Sequence, residues 1–131
     1  MILDSSALVA IALDEPEREA FVRALDGARI VGVGAPTLAE AGIVLAARTG
    51  ADAGAMLSEL VAAADAVVID FGEAHWREAL SAWSRFGKSR HPAALNFGDC
   101  LAYATASLAG QPLLAKGDGF AQTDLALVDV A

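Results

Sequence analysis

Short apolar runs alternate with longer helical segments along this chain, and that alternation limits the folds that it can adopt. β-type runs stand at residues 2–3, 29–33, 66–69, 112–115 and 126–130. Between them, apolar residues recur at helical spacing, and Gly27, Gly50 and Gly110 mark helix ends. The pattern predicts a single α/β domain over residues 1–131, built around a mostly parallel sheet.

Residues with short polar side chains are expected to begin three of the helices. Ser5 or Ser6 is predicted to cap the first helix, Asp70 the long helix after the third strand, and Asn96 the helix that follows. The run at 66–69 is continuously apolar, which predicts a strand that is covered on both faces.

The composition excludes several classes of protein. No apolar stretch approaches the roughly 18 residues of a membrane span. No basic region followed by an apolar segment opens the chain, so no secretory signal is expected, and the single cysteine, Cys100, is typical of a reducing cytoplasm. The net charge of −8 argues against a protein that coats nucleic acid, but not against an enzyme that meets RNA at one local site.

Carboxylates stand at the predicted strand ends or helix starts in widely separated parts of the chain. They are Asp4, Glu40, Asp99 and Asp118. Since active sites of open α/β sheets lie beyond the carboxyl ends of the strands, these side chains are expected to converge. Converging carboxylates repel one another and need a cation, which predicts a divalent-metal site and hydrolysis of a phosphorylated substrate.

Each carboxylate also has a purely structural interpretation. Glu40 ends a capping-box sequence, and Asp99 follows Asn96 at the spacing that complements a helix start. Asp118 lies in a glycine-flanked turn, and Asp124 is equally ambiguous. For Asp4 the functional interpretation is favoured, since a serine can cap the first helix. The spacing alone leaves the others open.

Five sequence segments together resemble a PIN-domain ribonuclease of the VapC toxin type, from bacterial type II toxin–antitoxin modules. The most specific segment is Asn96-Phe97-Gly98-Asp99, extended to residue 104. The others are residues 4–8, residue 40, residues 87–91 and residues 112–117, in the order of the family. The resemblance implies a three-layer α/β/α fold with a central parallel sheet.

The resemblance also implies an acidic site made of Asp4, Glu40 and Asp99. Asp4 and Asp99 are expected to be direct ligands of Mg²⁺, with Mn²⁺ as the other candidate, and Glu40 to orient or deprotonate a water. Ser6 is a candidate for supporting the ligands. Metal-activated water would then cleave an RNA phosphodiester to leave a 5′-phosphate and a 3′-hydroxyl.

The fourth acid departs from the family pattern. It commonly stands immediately before the phenylalanine of the last motif, and that position is Gly119 here. Either Asp118 or Asp124 would substitute, or the site would work with three acids.

Basic residues form the candidate contacts with the RNA backbone, although a solvated loop is the alternative interpretation. They are Lys88, Arg90, His91 and Lys116. His91 is also a residue type that can move a proton, while a loop histidine is its simpler interpretation.

The expected partners are an RNA substrate, a VapB-type antitoxin that obstructs the site, and a second copy of the chain. Membrane association is not expected. One alternative is a PIN-like module that binds its partner without catalysis. Another is an aspartyl-phosphate phosphatase that uses Asp4 as the nucleophile, but such enzymes carry a second Asp where this chain has Ser6.

Overall fold

A four-stranded parallel sheet, flanked by helices on both faces, forms the centre of the computed structural model, which describes residues 1–130. In chain order the elements are β1 (Ile2–Leu3), α1 (Ser5–Ala12), α2 (Arg18–Asp26), β2 (Gly32–Gly34), α3 (Ala35–Thr49), α4 (Ala53–Ala63), β3 (Val67–Ile69), α5 (Glu73–Phe86), α6 (Phe97–Ala109) and β4 (Leu113–Leu114), followed by a 3-10 turn at Phe120–Gln122. The strand order is β3-β2-β1-β4. The predicted α/β class and parallel sheet are confirmed.

Alternation along the short strands divides the core into two clusters. Leu3 and Val33 point into the cluster formed with α1 to α4, whereas Ile2 and Leu113 point into the cluster formed with α5 and α6. Neighbouring strand residues face opposite sides of a sheet, so each strand supplies both clusters. The result is the predicted three-layer α/β/α arrangement.

Two strand predictions are wrong. The predicted strand at 126–130 forms only an isolated bridge between Leu127 and Leu113, because β4 offers two residues for pairing. The run around β3 is apolar but not covered on both faces, since β3 is the edge strand and Val67 and Val68 are exposed. Hydrophobicity of a short run does not reveal its place in the sheet.

Two of the three capping predictions are wrong. Asp4, not Ser5 or Ser6, is the N-cap of α1, because both serines lie inside the first turn. α5 begins after Gly72 rather than Asp70, and the Gly72 N–H donates to His75 Nδ1 at 3.1 Å. The prediction for Asn96 is confirmed, since its side chain accepts a hydrogen bond from the Asp99 N–H.

The carboxyl ends of the two central strands define one edge of the molecule. Only Asp4 separates β1 from α1, and β2 ends directly before α3. α6 packs against α3 and both central strands, which brings its first turn to the same edge. Within residues 1–130, no helix combines the length and the apolar character that a bilayer crossing requires.

Candidate functional site

Asp4 is the most buried carboxylate at this edge, with 4% of its surface exposed. Its Oδ2 accepts hydrogen bonds from the Ser6 N–H at 3.1 Å and from the Ser6 hydroxyl at 2.6 Å. Its Oδ1 is buried and has no hydrogen-bond partner among the described residues. A buried carboxylate oxygen without a hydrogen-bond donor is costly, which makes Oδ1 of Asp4 a candidate ligand atom for a cation.

Glu40 belongs to the second turn of α3, and its capping interpretation does not apply. α3 begins after Gly34 without a side-chain cap, and Thr37 is buried inside the first turn. The Glu40 carboxylate lies against Gly98 of α6, where a Cβ would stand 1.8 Å from Glu40 Oε2. Gly98 therefore makes room for Glu40 between the two helices. Its role was missed in the sequence, although Gly98 lies inside the most specific motif.

Asp99 has the helix-start role that its spacing predicted, and its role as a metal ligand stays a prediction. Its Oδ2 accepts a hydrogen bond from the Asn96 N–H at 3.0 Å, and its own N–H donates to Asn96 Oδ1 at 2.9 Å. This reciprocal cap fixes the carboxylate at the first turn of α6 while using one of its two oxygens. Burial, and then the charge of Glu40, raise the pKa of Asp99.

The three carboxylates act on one another electrostatically. Burial raises the pKa of Asp4 to about 6, with further contributions from the charges of Asp99 and Glu40, against the lowering effect of the Ser6 hydrogen bonds. Asp4, Glu40 and Asp99 therefore lie within electrostatic range of one another, and burial and then the charges of the neighbouring carboxylates raise the pKa values of Asp4 and Asp99.

The raised pKa of Asp4 predicts how stability depends on pH. Because the folded-state pKa of about 6 lies above the ordinary value of 3.8, the folded protein binds the proton more tightly than the unfolded chain. The stabilisation is complete below about pH 4 and is lost as the pH rises through 6, which amounts to about 3 kcal/mol.

Urea unfolding in a chelating buffer at pH 4.5 and 7.5 measures this effect as the free energy of unfolding of wild type and Asp4→Asn. Wild type is expected to lose more stability than the variant between the two pH values. Equal losses would contradict the assignment to Asp4.

The donor set fits a hydrated divalent cation. Within residues 1–130, no three His, Cys, Asp or Glu side chains are grouped closely enough to hold an ion by themselves. Mg²⁺ does not require that, since it retains several waters and is bound through one or two carboxylates plus substrate phosphate. The buried Oδ1 of Asp4, next to the charges of Asp99 and Glu40, would supply such an ion with an oxygen ligand and a negative field.

Ser6 connects Asp4 to the segment after β4. The Lys116 N–H donates to Ser6 Oγ at 2.9 Å, and the same hydroxyl donates onward to Asp4. The Lys116 ammonium lies 3.4 Å from Glu15 Oε1 and 3.5 Å from Glu17 Oε2. Ser6 thus holds Asp4 in place, and the side chain of Lys116 is directed towards the α1–α2 connection.

The two candidates for a fourth acid have different surroundings. Asp118 is exposed in the glycine-flanked loop after β4, and its role stays a prediction. Asp124 pairs with Arg85 at 2.7 Å and accepts a hydrogen bond from the Tyr103 hydroxyl. These contacts, the Tyr103 bond first, lower the pKa of Asp124, and burial followed by Asp124 raises the pKa of Tyr103 to about 12. Such contacts favour a structural role in anchoring the C-terminal segment.

The basic residues between α5 and α6 lie in a loop that a bridge between Gly87 and Leu95 closes. The Arg90 guanidinium stacks 4.1 Å from the Trp83 ring, and Lys88 is exposed. His91 Nδ1 accepts a hydrogen bond from the Ala93 N–H at 3.0 Å. The loop leads directly into the cap of α6, and its contact with RNA stays a prediction.

Comparisons with known proteins agree with this fold. Residues 1–125 match the PIN domain family. Ribonuclease VapC36 of Mycobacterium tuberculosis is 47% identical over 126 residues, which cover 95% of this chain and 91% of that protein. The Sarcin-Ricin loop cleaving toxin VapC20 of Mycobacterium tuberculosis superposes with a TM-score of 0.76 at 18% identity, covering 97% of each chain.

A toxin–antitoxin complex from Klebsiella pneumoniae contains a chain of the same fold. It superposes with a TM-score of 0.72 at 14% identity, covering 99% of this chain and 97% of that one. The match over nearly the whole chain and the identity to the mycobacterial relative lead to one assignment: this chain belongs to the PIN-domain family of VapC ribonucleases.

Proposed function

We propose that this protein is a metal-dependent endoribonuclease and the toxin of a type II toxin–antitoxin module in the cytoplasm. The observation that carries the proposal is the buried, unpartnered Oδ1 of Asp4 beside the charges of Glu40 and Asp99. The family supports RNA as the substrate, since relatives such as VapC36 carry the name ribonuclease. The activity needs only a local contact with RNA, which accommodates the net charge of −8.

The proposed mechanism is hydrolysis at a phosphodiester bond of RNA. Asp4 and Asp99 would hold Mg²⁺ or Mn²⁺, which supplies Lewis-acid polarisation of the phosphate and a lowered pKa for an attacking water. Glu40 accepts the proton of that water at a carboxylate oxygen as the water oxygen bonds to phosphorus. The phosphorus–O3′ bond breaks, and the departing O3′ oxygen takes a proton from solvent water, which leaves a 5′-phosphate and a 3′-hydroxyl.

Supporting residues orient the reactants. Ser6 fixes Oδ2 of Asp4 and so directs the remaining oxygen towards the ion. Lys88, Arg90 and His91 are the proposed contacts with the RNA backbone, since their loop leads into the turn that carries Asp99. Asp118 remains a candidate for approaching the substrate from the exposed loop after β4.

Growth during induced expression tests the function in cells. Wild type is expected to arrest a bacterial culture within about one generation, and Asp99→Asn is expected to leave growth normal at equal protein levels. Normal growth with soluble wild-type protein would contradict the toxin assignment.

The proposed inhibitor is a VapB-type antitoxin. A negative site with a buried, unpartnered oxygen is complementary to an Arg or Lys of a partner. A groove between α1, α2 and α4 would take another segment of the partner. Its lining is partly apolar, with Ile11, Val22, Leu25, Met56 and Leu60, and partly charged, with Arg18, Asp26 and Glu59. Co-expression of the adjacent antitoxin gene is expected to restore growth. The antitoxin protein is expected to co-purify with this chain.

We also propose that the chain forms a symmetric homodimer through the groove between α5 and α6. Its lining is apolar and includes Leu80 and Phe97, which are 57% and 79% exposed, together with Trp76 and Trp83. Arginine side chains stack on both indole rings. Clustered exposed Trp and Arg residues are typical of protein–protein interfaces. An exposed apolar patch of this kind marks a surface that binds another protein.

Light scattering after size-exclusion chromatography tests the dimer. Leu80→Glu is expected to convert dimer to monomer without loss of melting temperature, because a charge is tolerated at an exposed site of the single chain but not in an apolar interface. Leu108→Glu, at an exposed position of α6 outside the groove, is the matched control and should remain dimeric. A dimeric Leu80→Glu would place the interface elsewhere.

A further inference from the structure

Two glutamates in the connection between α1 and α2 have no part in the proposed chemistry. They are Glu15 and Glu17, whose side chains are only 23% and 35% exposed. Glu17 Oε2 is buried without a hydrogen-bond partner among the described residues. Both carboxylates face the Lys116 ammonium, at 3.4 Å and 3.5 Å. Arg48 Nη1 lies 3.8 Å from the second oxygen of Glu15, so the four charges form one network.

Lys116 links this network to the candidate active site through its main chain. Its N–H donates to Ser6 Oγ at 2.9 Å, and Ser6 Oγ donates to Asp4 Oδ2 at 2.6 Å. A hydroxyl has a single proton, and the Lys116 N–H occupies an acceptor position of the oxygen, which keeps that proton directed at Asp4. A shift of Lys116 would release the Ser6 hydroxyl and the carboxylate that it orients.

The loop that carries Lys116 needs such an anchor. Gly117 adopts a φ of +95°, and Gly119 follows two residues later, so the backbone here has little intrinsic restraint. Single exposed ion pairs contribute little to stability, but several charges joined in a network hold a geometry better. Here the network contacts the side chain of Lys116, whose main-chain N–H donates a hydrogen bond to Ser6 Oγ.

We propose that Glu15 and Glu17 are positioning residues that act through Lys116 and Ser6 on Asp4, and that Lys116 serves this purpose rather than phosphate contact. The inference rests on the proposed function, since it concerns the oxygen that Asp4 offers to a divalent cation. Removing the Lys116 ammonium then weakens metal binding in the absence of RNA. A phosphate contact would instead affect the affinity for RNA and its salt dependence.

Calorimetric titration with Mn²⁺ alone, without RNA, tests the proposal. Lys116→Met keeps the main-chain N–H, and it is expected to weaken Mn²⁺ binding about tenfold, the loss typical of residues that orient metal ligands. The Glu15→Gln/Glu17→Gln variant should lose affinity similarly, and combining it with Lys116→Met should add no further loss. Lys116→Arg should retain near-wild-type affinity.

The control separates positioning from a general effect of losing an ion pair. Glu19 and Arg23 form an exposed pair at 2.9 Å on α2, and Glu19→Gln should bind Mn²⁺ like wild type. Wild-type affinity in Lys116→Met, or strictly additive losses, would overturn the inference while leaving the metal site intact. If Asp4→Asn bound Mn²⁺ as tightly as wild type, the metal site itself would fail, and the inference with it.

Discussion

Replacing Asp4 or Asp99 by asparagine is expected to lower the rate of RNA cleavage by about 10³-fold while leaving the fold intact. Each change removes a negative charge from a site whose remaining carboxylates must attract a divalent cation, and electrostatic contributions of this kind are worth several kcal/mol in a buried site. Asparagine keeps the shape and can still accept the hydrogen bonds from Ser6 or Asn96 that the carboxylates accept. The measurement is the initial rate on a structured RNA, with melting temperature as the test of folding.

Asp70→Asn is the matched control for both variants. Asp70 follows a strand, as Asp4 does, and lies three residues before a glutamate, but it is exposed and α5 begins after Gly72. It should cleave at the wild-type rate. Cleavage within about threefold of wild type by folded Asp4→Asn or Asp99→Asn would show that the reaction does not depend on this site.

Gly98→Ala is expected to reduce cleavage by about 10²-fold with little loss of stability, the size of effect that a general base contributes. A Cβ at this position would stand 1.8 Å from Glu40 Oε2 and 2.6 Å from its Cδ, so the flexible carboxylate must leave. Helices favour alanine over glycine by up to about 0.5–1 kcal/mol, which offsets part of the cost of moving the Glu40 side chain. Cleavage rate and melting temperature measured together separate the two effects.

Gly42→Ala provides the comparison, because Gly42 lies on α3 near Glu40 and its Cβ would meet Leu57 Cδ1 at an ordinary 3.4 Å. It should retain full activity. Adding Gly98→Ala to Glu40→Gln should cause little further loss, since both changes remove the same carboxylate function. Full multiplication of the two losses would mean that Gly98 acts through something other than Glu40.

The architecture was predictable because it follows from the spacing of apolar residues and from the residues that end helices. Alternating strand and helix patterns, with glycines at helix ends, were sufficient for the parallel sheet and its covering helices. The edge position of β3 was not predictable, since Val67 and Val68 belong to an apolar run yet remain exposed. The single bridge between Leu127 and Leu113 was not predictable either, since it depends on the two-residue length of β4.

The candidate site was predictable only in part, because a carboxylate near a helix start can cap, bind or do both. Asp4 and Asp99 do cap their helices, and they also stand beside Glu40 in a common electrostatic field. The space that Gly98 leaves for Glu40 arises from the distance between α3 and α6, which no local spacing encodes. The contact of Lys116 with Glu15 likewise joins residues 101 positions apart.

Metal-dependent cleavage of RNA by the purified protein tests the central claim most directly. Total bacterial RNA is incubated with wild type in Mg²⁺ or Mn²⁺, then in excess EDTA, then with the metal restored, and the new ends are mapped by sequencing. With metal, wild type is expected to make discrete cuts that leave 5′-phosphate ends. Cleavage is expected to stop in EDTA and to resume when metal is restored. Asp99→Asn should make no such cuts. Identical cuts in EDTA or from Asp99→Asn, or no cuts at all alongside a phosphoenzyme at Asp4, would contradict it.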